Sequence, residues 1–160
     1  MILLVFGCLI IVCGRPRCAR PLARYAARSL FFLGGMPISI HGLDRLPREP
    51  HILLLNHTSF LDPLALLALL PAKPGYAFTA RQQYTSQALL WPVLKAVGTL
   101  IFKHTEPQHS SSNLALLAGH LRRGENVIVF PEGGIAPEEG LKPFHSGAFV
   151  VATSEKVPVV

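Results

Sequence analysis

Cysteine is scarce in this sequence and is confined to one end of it. The three cysteines, Cys8, Cys13 and Cys18, all lie within the first eighteen of the 160 residues. Their odd number, and the lack of any Cys-x-x-Cys or Cys/His spacing, exclude a disulfide framework and a structural zinc site. We interpret them as small apolar residues of a hydrophobic segment, and we expect no metal site in the protein.

Charged residues are also few, at 15% of the chain, while hydrophobic residues make up 50%. This balance excludes a disordered chain and is unusual for a freely soluble protein. The net charge is +6, but residues 1–50 carry +5 of it. Basicity confined to one segment disfavours a protein that wraps nucleic acid, so no nucleic-acid partner is expected. The composition predicts a globular protein with one core that contacts a membrane.

The first fourteen residues form an uncharged apolar run. As a helix this run would rise about 20 Å, less than the roughly 30 Å of a bilayer's hydrocarbon core. A secretory signal would carry basic residues before the run, whereas here they begin after it, at Arg15. If the run inserts, these arginines favour a cytoplasmic location for the chain that follows. Whether the run spans the membrane or lies on it stays open.

Arginines recur every four residues, at Arg20, Arg24 and Arg28, in the segment that follows. Apolar and aromatic residues take another face at helical spacing, and Gly34-Gly35 ends the pattern. The pattern predicts an amphipathic helix at the boundary between anionic head groups and acyl chains. An ordinary surface helix with a solvated charged face is the alternative. We define residues 1–35 as a membrane-associated N-terminal segment and residues 36–160 as a second domain.

Short apolar strands alternate with helices from residue 36 onward. The segments 38–41, 51–55, 76–80, 99–103 and 126–130 are predicted as strands, with a further strand starting at Val157. Helices are predicted at 63–70, 82–97, 145–155 and after the serines at 110–112. The pattern predicts an α/β fold, with a mixed, largely buried sheet and helices on both faces. Because the sequence stops inside its last apolar run, we expect a fragment that lacks the C-terminal part of its domain.

The first candidate for chemistry is the loop Asn56-His57-Thr58-Ser59-Phe60-Leu61-Asp62, which follows a predicted strand. Ligands of α/β sheets usually bind at such strand ends. A histidine there can act as a general base on a hydroxyl if a carboxylate fixes its tautomer, and Asp62 is close enough in sequence to do so. Alternatively, Asp62 caps the next helix and His57 is an ordinary loop residue.

The second candidate is Phe130-Pro131-Glu132-Gly133-Gly134, which also follows a predicted strand. The glycines permit a close approach of backbone N–H groups to a ligand, and Glu132 could accept from hydroxyls or hold a cation. A turn without any ligand role is the alternative. The sequence has no Gly-x-x-x-x-Gly-Lys-Ser/Thr, Gly-x-Gly-x-x-Gly or Gly-x-Ser-x-Gly motif, so nucleotide hydrolysis, dinucleotide binding and serine-esterase chemistry lack their local signatures.

Taken together, the two loops give a more specific signal. The order NHTSFLD, GTLIF, FPEGG, KPFHSGAF and VPVV resembles the lysophospholipid/glycerophospholipid acyltransferase family, with a PlsC-like 1-acylglycerol-3-phosphate acyltransferase domain. The first block of that family is Asn-His-x-x-x-x-Asp and the third is Phe-Pro-Glu-Gly. The resemblance covers roughly residues 40–160.

The resemblance implies transfer of a fatty acyl group from acyl-CoA or acyl carrier protein, as co-substrate, to the hydroxyl of a lysophospholipid in a membrane. His57 would be the base and Asp62 its orienting partner, with no covalent acyl-enzyme, metal or cofactor. The substrate-binding residues would be Phe130, Pro131, Glu132, Gly133, Lys103 and Arg81.

Two departures from the family pattern concern the phosphate of the acceptor lipid. Lys103-His104 stands where many members have an arginine, and Gly134-Ile135 stands where many have Thr/Ser-Arg. A lysine or a neutral side chain does not replace the bidentate arginine fork, which argues against lysophosphatidate as the acceptor. Lys103, His104, Arg81 and Lys142 are candidates to compensate. The alternative functions are an inactive membrane-associated remnant and an acyl-thioester hydrolase.

Overall fold

A computed structural model describes residues 2–103, 111–135 and 140–160 of the chain. It contains four named strands, two short 3₁₀ helices at Leu43–Arg45 and Gln82–Ser86, and six α-helices. The strands are β1 (Ile52–Leu54), β2 (Tyr76–Arg81), β3 (Leu100–Phe102) and β4 (Asn126–Val129). The helices are α1 (Ile2–Cys13), α2 (Pro16–Leu33), α3 (Asp62–Leu69), α4 (Leu90–Ala96), α5 (Ser111–Arg122) and α6 (Gly147–Glu155).

The four strands form one sheet in the order β1-β4-β2-β3, and every pairing is parallel. The prediction of an α/β fold is therefore confirmed, but the prediction of a mixed sheet is wrong. Helices α3, α4 and α5 connect β1 to β2, β2 to β3 and β3 to β4, respectively, and each crossover returns the chain to the same end of the sheet. Pro158 and Val160 add backbone hydrogen bonds to Ile52 at the outer edge of β1, again in parallel.

Helices cover both faces of the sheet, as the sequence predicted. Leu117 and Leu121 of α5 and Val151 of α6 pack on the side chains that alternate strand residues send to one face. On the opposite face, Leu53 and Ile128 pack with α3. Since both faces are buried, the functional groups of the domain are displaced to the sheet edges and to the loops that follow the strands.

Two predicted elements differ in the structure. Residues 38–41 form no strand, although Ile38 and Ile40 are partly buried against the core. The predicted helix at 82–97 is divided into a 3₁₀ turn and α4, so Pro92 lies in the first turn of α4 rather than at a kink. A proline is tolerated there because the first N–H groups of a helix have no intrahelical partner.

Arg20 and Arg24 of α2 do not face outward, which differs from the sequence prediction, whereas Arg28 is exposed. Arg20 is buried, where its guanidinium donates to the Val97 carbonyl at 3.0 Å and to Glu125 at 2.9 Å. Arg24 donates to the carbonyls of Ala68 and Leu69 at the C-terminus of α3, an arrangement that the helix dipole favours.

Small residues on the same side of α2, Ala19, Ala23 and Ala27, are buried and let the helices approach closely enough for these contacts. The exposed residues of α2 include the aromatic and apolar side chains of Tyr25, Phe32 and Leu33 beside Arg17 and Arg28. Helix α1 packs against α2 and leaves Val12 exposed. Within the described part of the chain, no helix is both long enough and apolar enough to cross a membrane.

Candidate active site

The loops singled out by the sequence meet at one edge of the sheet. The carboxyl ends of parallel strands share an edge, so the loops after β1 and β4 become neighbours because these strands pair directly. Strand β2 ends at Arg81 beside β4, and β3 is followed by Lys103. Along this edge, the order is therefore His57, Glu132, Arg81 and Lys103. Each lies at or after the end of one strand, and neighbouring strands are about 4.8 Å apart.

His57 and Asp62 form the contact that the sequence predicted. The Nδ1 of His57 lies 3.0 Å from Oδ2 of Asp62. The same Oδ2 accepts the backbone N–H groups of Thr58 and Ser59, both at 2.9 Å. A carboxylate in this position makes Nδ1 the protonated nitrogen of a neutral imidazole, which leaves Nε2 as the basic one.

The hydrogen bonds to Asp62 keep its carboxyl ionised. Burial by itself raises the pKa of Asp62, but the hydrogen bonds from His57, Ser59 and Thr58 outweigh this effect. The resulting pKa lies below the ordinary 3.8. Asp62 is also the first residue of α3, so its negative charge faces the positive end of that helix. The alternative that Asp62 caps the helix is wrong, because Leu61 is the N-cap residue and the carboxylate bonds to residues that precede the helix.

The imidazole of His57 is held from a second direction by the loop after β4. Its ring stacks on Phe130 with a centroid separation of 4.2 Å and an interplanar angle of 23°. The backbone N–H of His57 donates to Oε1 of Glu132 at 2.9 Å. His57 is thus fixed at its ring face, its backbone and its Nδ1, while 16% of the side chain stays accessible.

Glu132 connects two loops through its carboxylate. Its Oε1 accepts from His57, and its Oε2 accepts from the backbone N–H of Lys142 at 3.0 Å. These donors, that of Lys142 first, lower the pKa of Glu132 below its ordinary value. Only 5% of the residue is exposed. The carboxylate of Glu132 therefore holds the backbone of two loops in place. Its contact with His57 joins residues that are 75 positions apart, so the sequence could not predict it.

The two glycines after Glu132 make room for basic side chains. Gly133 has a φ of +69°, and a Cβ added there would lie 2.8 Å from Nε2 of His145. A Cβ on Gly134 would overlap the guanidinium of Arg81, which donates to the Gly133 carbonyl. Arg81 was predicted as a site residue, whereas His145 was not, although His145 lies in the segment KPFHSGAF that is part of the family resemblance.

The remaining predicted site residues differ in their contacts with this turn. The backbone N–H of His145 donates to the carbonyl of Pro131 at 2.8 Å, which fixes the turn from the other side. Lys142 donates through Nζ to the carbonyl of Ile135. Lys103 is exposed, and both of its backbone groups bond to Asn113. His104 lies outside the described residues. No group of three His, Cys, Asp or Glu side chains within the described ranges could hold a metal ion.

The chain is similar in sequence to several acyltransferases. The chloroplastic 1-acyl-sn-glycerol-3-phosphate acyltransferase of Brassica napus is 31% identical over 76% of this chain and 35% of its own length. The corresponding enzyme of Saccharomyces cerevisiae is 28% identical over 79% of this chain and 42% of its own. The lyso-ornithine lipid O-acyltransferase of Pseudomonas aeruginosa is 28% identical over 78% and 46%. The chain thus spans less than half the length of these relatives.

A solved structure has the same fold. The 1-acyl-sn-glycerophosphate (LPA) acyltransferase of Thermotoga maritima superimposes with a TM-score of 0.72 at 19% identity, over 90% of this chain and 56% of that one. The model of the Acyltransferase family matches residues 37–160, a range that contains both the His57–Asp62 loop and the Glu132 turn. The chain belongs to the acyltransferase family.

Proposed function

We propose that the protein is an O-acyltransferase that moves a fatty acyl group from a thioester, acyl-CoA or acyl carrier protein, to the free hydroxyl of a lysophospholipid or a related glycerolipid. The observation that carries the proposal is the 3.0 Å contact between Nδ1 of His57 and Oδ2 of Asp62 at the edge where the strand ends meet. Family membership and the named activities of the relatives support it.

The proposed reaction is a single displacement. Nε2 of His57 takes the proton of the acceptor hydroxyl while the oxygen attacks the thioester carbonyl. The C–O bond forms, the C–S bond breaks, and the imidazolium returns the proton to the departing thiolate. Asp62 stabilises the positive charge that appears on the imidazole during the attack. The products are an acylated lipid and the free thiol of the carrier.

The acceptor would bind along the edge beyond His57. Phe130 stacks on the imidazole and Glu132 bonds to the backbone of its loop. Pro131 and Gly133 belong to the turn that follows β4, and their backbone groups bond to His145 and Phe130. Arg81, at the end of the next strand, contacts this turn through the Gly133 carbonyl, and Lys103 follows the strand after it. These two bases would attract an anionic head group, in place of the arginines that many family members carry.

Membrane association of the N-terminal hairpin is part of the proposal. Helices α1 and α2 pack against each other and expose Val12, Tyr25, Phe32 and Leu33. Such a surface favours the interface of a bilayer, where the acceptor lipid resides. Arg15 and Arg17 lie at the connection between the helices, and their charge favours the cytoplasmic side.

The test uses the purified full chain with labelled acyl-CoA or acyl carrier protein and a panel of lysolipids in mixed vesicles. Wild-type protein should form the diacyl lipid, and His57→Ala should lose at least a thousandfold in kcat, because the base is removed. His41→Ala, which alters an exposed histidine outside the site, is the matched control and should retain full turnover.

Three results would contradict the proposal. Equal turnover of wild type and His57→Ala would remove the base from the mechanism. Release of free fatty acid without any lipid product would indicate the hydrolase instead. Vesicle binding without any transfer, from every donor and acceptor, would identify an inactive membrane-associated remnant.

A further inference from the structure

Arg81 reaches from the end of β2 to the turn that follows β4. The two strands pair in parallel, with Phe78 opposite Ile128. Continued by three residues, this register brings Arg81 level with Pro131, in the turn. The guanidinium donates a hydrogen bond to the carbonyl of Gly133. The pairing of β2 with β4 thus brings a basic side chain to the turn of the candidate site.

The guanidinium occupies the space that a side chain at position 134 would need. A Cβ added to Gly134 would overlap Nη2 of Arg81 and lie 3.0 Å from its Cζ. Non-bonded carbon atoms pack about 3.5–4.0 Å apart, so the two groups exclude each other. Gly134 stands where many members of the family have threonine or serine. The lack of a side chain at this position therefore gives Arg81 its place on the turn.

Hydrogen bonds hold the turn from several sides. The N–H of Gly133 donates to the carbonyl of Phe130 at 3.0 Å, and that of His145 donates to the carbonyl of Pro131 at 2.8 Å. The carboxylate of Glu132 bonds to the backbone of two neighbouring loops. A displacement of the turn would break several of these bonds at once.

Arg81 can move at a lower cost than the turn. The residue is exposed, and the Gly133 carbonyl is the only hydrogen-bond partner of its side chain among the residues that the structure describes. A side chain at position 134 would therefore displace the guanidinium and leave the turn in place. The guanidinium carries five N–H donors in a planar fork. Those that do not bond to Gly133 can bind a phosphate through parallel hydrogen bonds.

We propose that Gly134 determines the selectivity of the site for acceptors with a phosphate head group, because it lets Arg81 lie on the turn whose Glu132 bonds to the His57 loop. The inference rests on the proposed function for the reaction and for Arg81 as a ligand of the head group. It adds Gly134 as the residue that positions Arg81. Replacing Gly134 with serine should lower this selectivity although Arg81 itself is unchanged.

Selectivity is the ratio of kcat/KM on short-chain lysophosphatidate to kcat/KM on short-chain lysophosphatidylcholine, both below their micelle concentrations. Gly134→Ser should lower this ratio about tenfold through KM, with kcat on each acceptor within threefold of wild type. A factor of ten is close to the contribution of one hydrogen bond to a charged group. The matched control is Gly119→Ser in α5, where an added Cβ meets only the end of Arg123 at 3.5 Å; its ratio should equal that of wild type.

A double-mutant cycle separates the displacement of Arg81 from damage to the turn. Arg81→Gln should lower the ratio by about the same factor as Gly134→Ser. Gly134→Ser in the Arg81→Gln background should change the ratio less than twofold, because no guanidinium remains to be displaced. A further tenfold loss in the double variant would overturn the proposal, and so would an unchanged ratio in Gly134→Ser. A Gly134→Ser protein that does not fold would also overturn it, since the turn would then have taken up the conflict.

Binding without catalysis distinguishes this inference from the proposed function. Hexyl phosphate has no hydroxyl that could accept an acyl group, so its dissociation constant, measured by calorimetry, does not depend on the reaction. The constant should rise about tenfold in Gly134→Ser and in Arg81→Gln. Failure of wild-type protein to bind hexyl phosphate, or equal binding by Gly134→Ser, would overturn the inference. If wild-type protein binds it as expected but acylates neither lysolipid, the proposed function fails and the role of Gly134 stands.

Discussion

Replacing Asp62 with asparagine separates the charge of this residue from its geometry. A single oxygen, Oδ2, accepts the hydrogen bonds from His57 Nδ1 and from the backbone of Thr58 and Ser59. The two backbone N–H groups require an acceptor, so they orient the amide oxygen of an asparagine towards the position of Oδ2. Asp62→Asn should therefore keep the imidazole in place with its Nδ1 proton and remove only the negative charge.

The size of the effect follows from the separation between the charge of the carboxylate and the charge that forms on the imidazole. Opposite unit charges about 4 Å apart interact by about 4 kcal/mol at an effective dielectric constant of about 20. The side chain of Asp62 is 25% exposed, so water screens part of this interaction. We expect that about 2 kcal/mol of transition-state stabilisation is lost, which lowers kcat about thirtyfold.

Asp62→Ala is the matched comparison because it also removes the acceptor. With Nδ1 and two backbone N–H groups left unpaired, kcat should fall at least tenfold below that of the asparagine variant, and the free energy of unfolding should fall by about 1–3 kcal/mol. The assay is lipid acylation at saturating substrates, with urea unfolding in parallel. An asparagine variant within threefold of wild type would refute the reasoning, and so would one as impaired as the alanine variant.

Three further predictions concern stability and the turn. Gly133→Ala should lower the free energy of unfolding by about 1 kcal/mol or more in urea titrations, because it places a side chain at φ +69° against His145. Glu125→Gln should cost about 2 kcal/mol in the same titration, since the largely buried guanidinium of Arg20 loses its anion; a loss below 0.5 kcal/mol would contradict the role of the pair. Burial lowers the pKa of His120 below its ordinary 6.5, against the hydrogen bond with Glu125. The unfolded chain therefore takes up a proton that the folded chain does not, so the free energy of unfolding should fall as the pH drops from about 7 to about 5, and His120→Gln should reduce that slope.

Local patterns in the sequence predicted the elements that depend on nearby residues. The apolar runs at β1, β2, β3 and β4 are strands, and the spacing from His57 to Asp62 indicated a contact that a seven-residue loop can close by itself. Residues 38–41 were also predicted as a strand, but Pro37 removes a donor before them and Gly42, at φ +80°, turns the chain after them. A strand needs a partner for its backbone, and a pattern in one segment does not supply it.

Contacts between distant segments could not be predicted. The spacing of Arg20 and Arg24 correctly indicated one helix face, but the partners that bury this face, Glu125 and the carbonyl of Ala68, lie 105 and 44 residues away. An arginine stripe is compatible with head groups, water or helix-terminal carbonyls, and only the packing of α3 decides between them. The hydrogen bond from the His57 backbone to Glu132 could not be predicted for the same reason, because it requires β1 and β4 to be neighbours.

The position of β4 has a consequence for biosynthesis. Strand β4 follows the other three strands in the sequence, but in the sheet it lies between β1 and β2, which are synthesised first. Until the ribosome has translated residue 126 and the residues after it, β1 and β2 each have an unpaired edge that β4 will later occupy. Unpaired strand edges favour aggregation. His57 and Asp62 can make contact on the nascent chain. The stacking of Phe130 on His57 and the hydrogen bond to Glu132 can form only when the final quarter of the sequence has been translated. Assembly of the contacts around His57 is therefore tied to the insertion of β4.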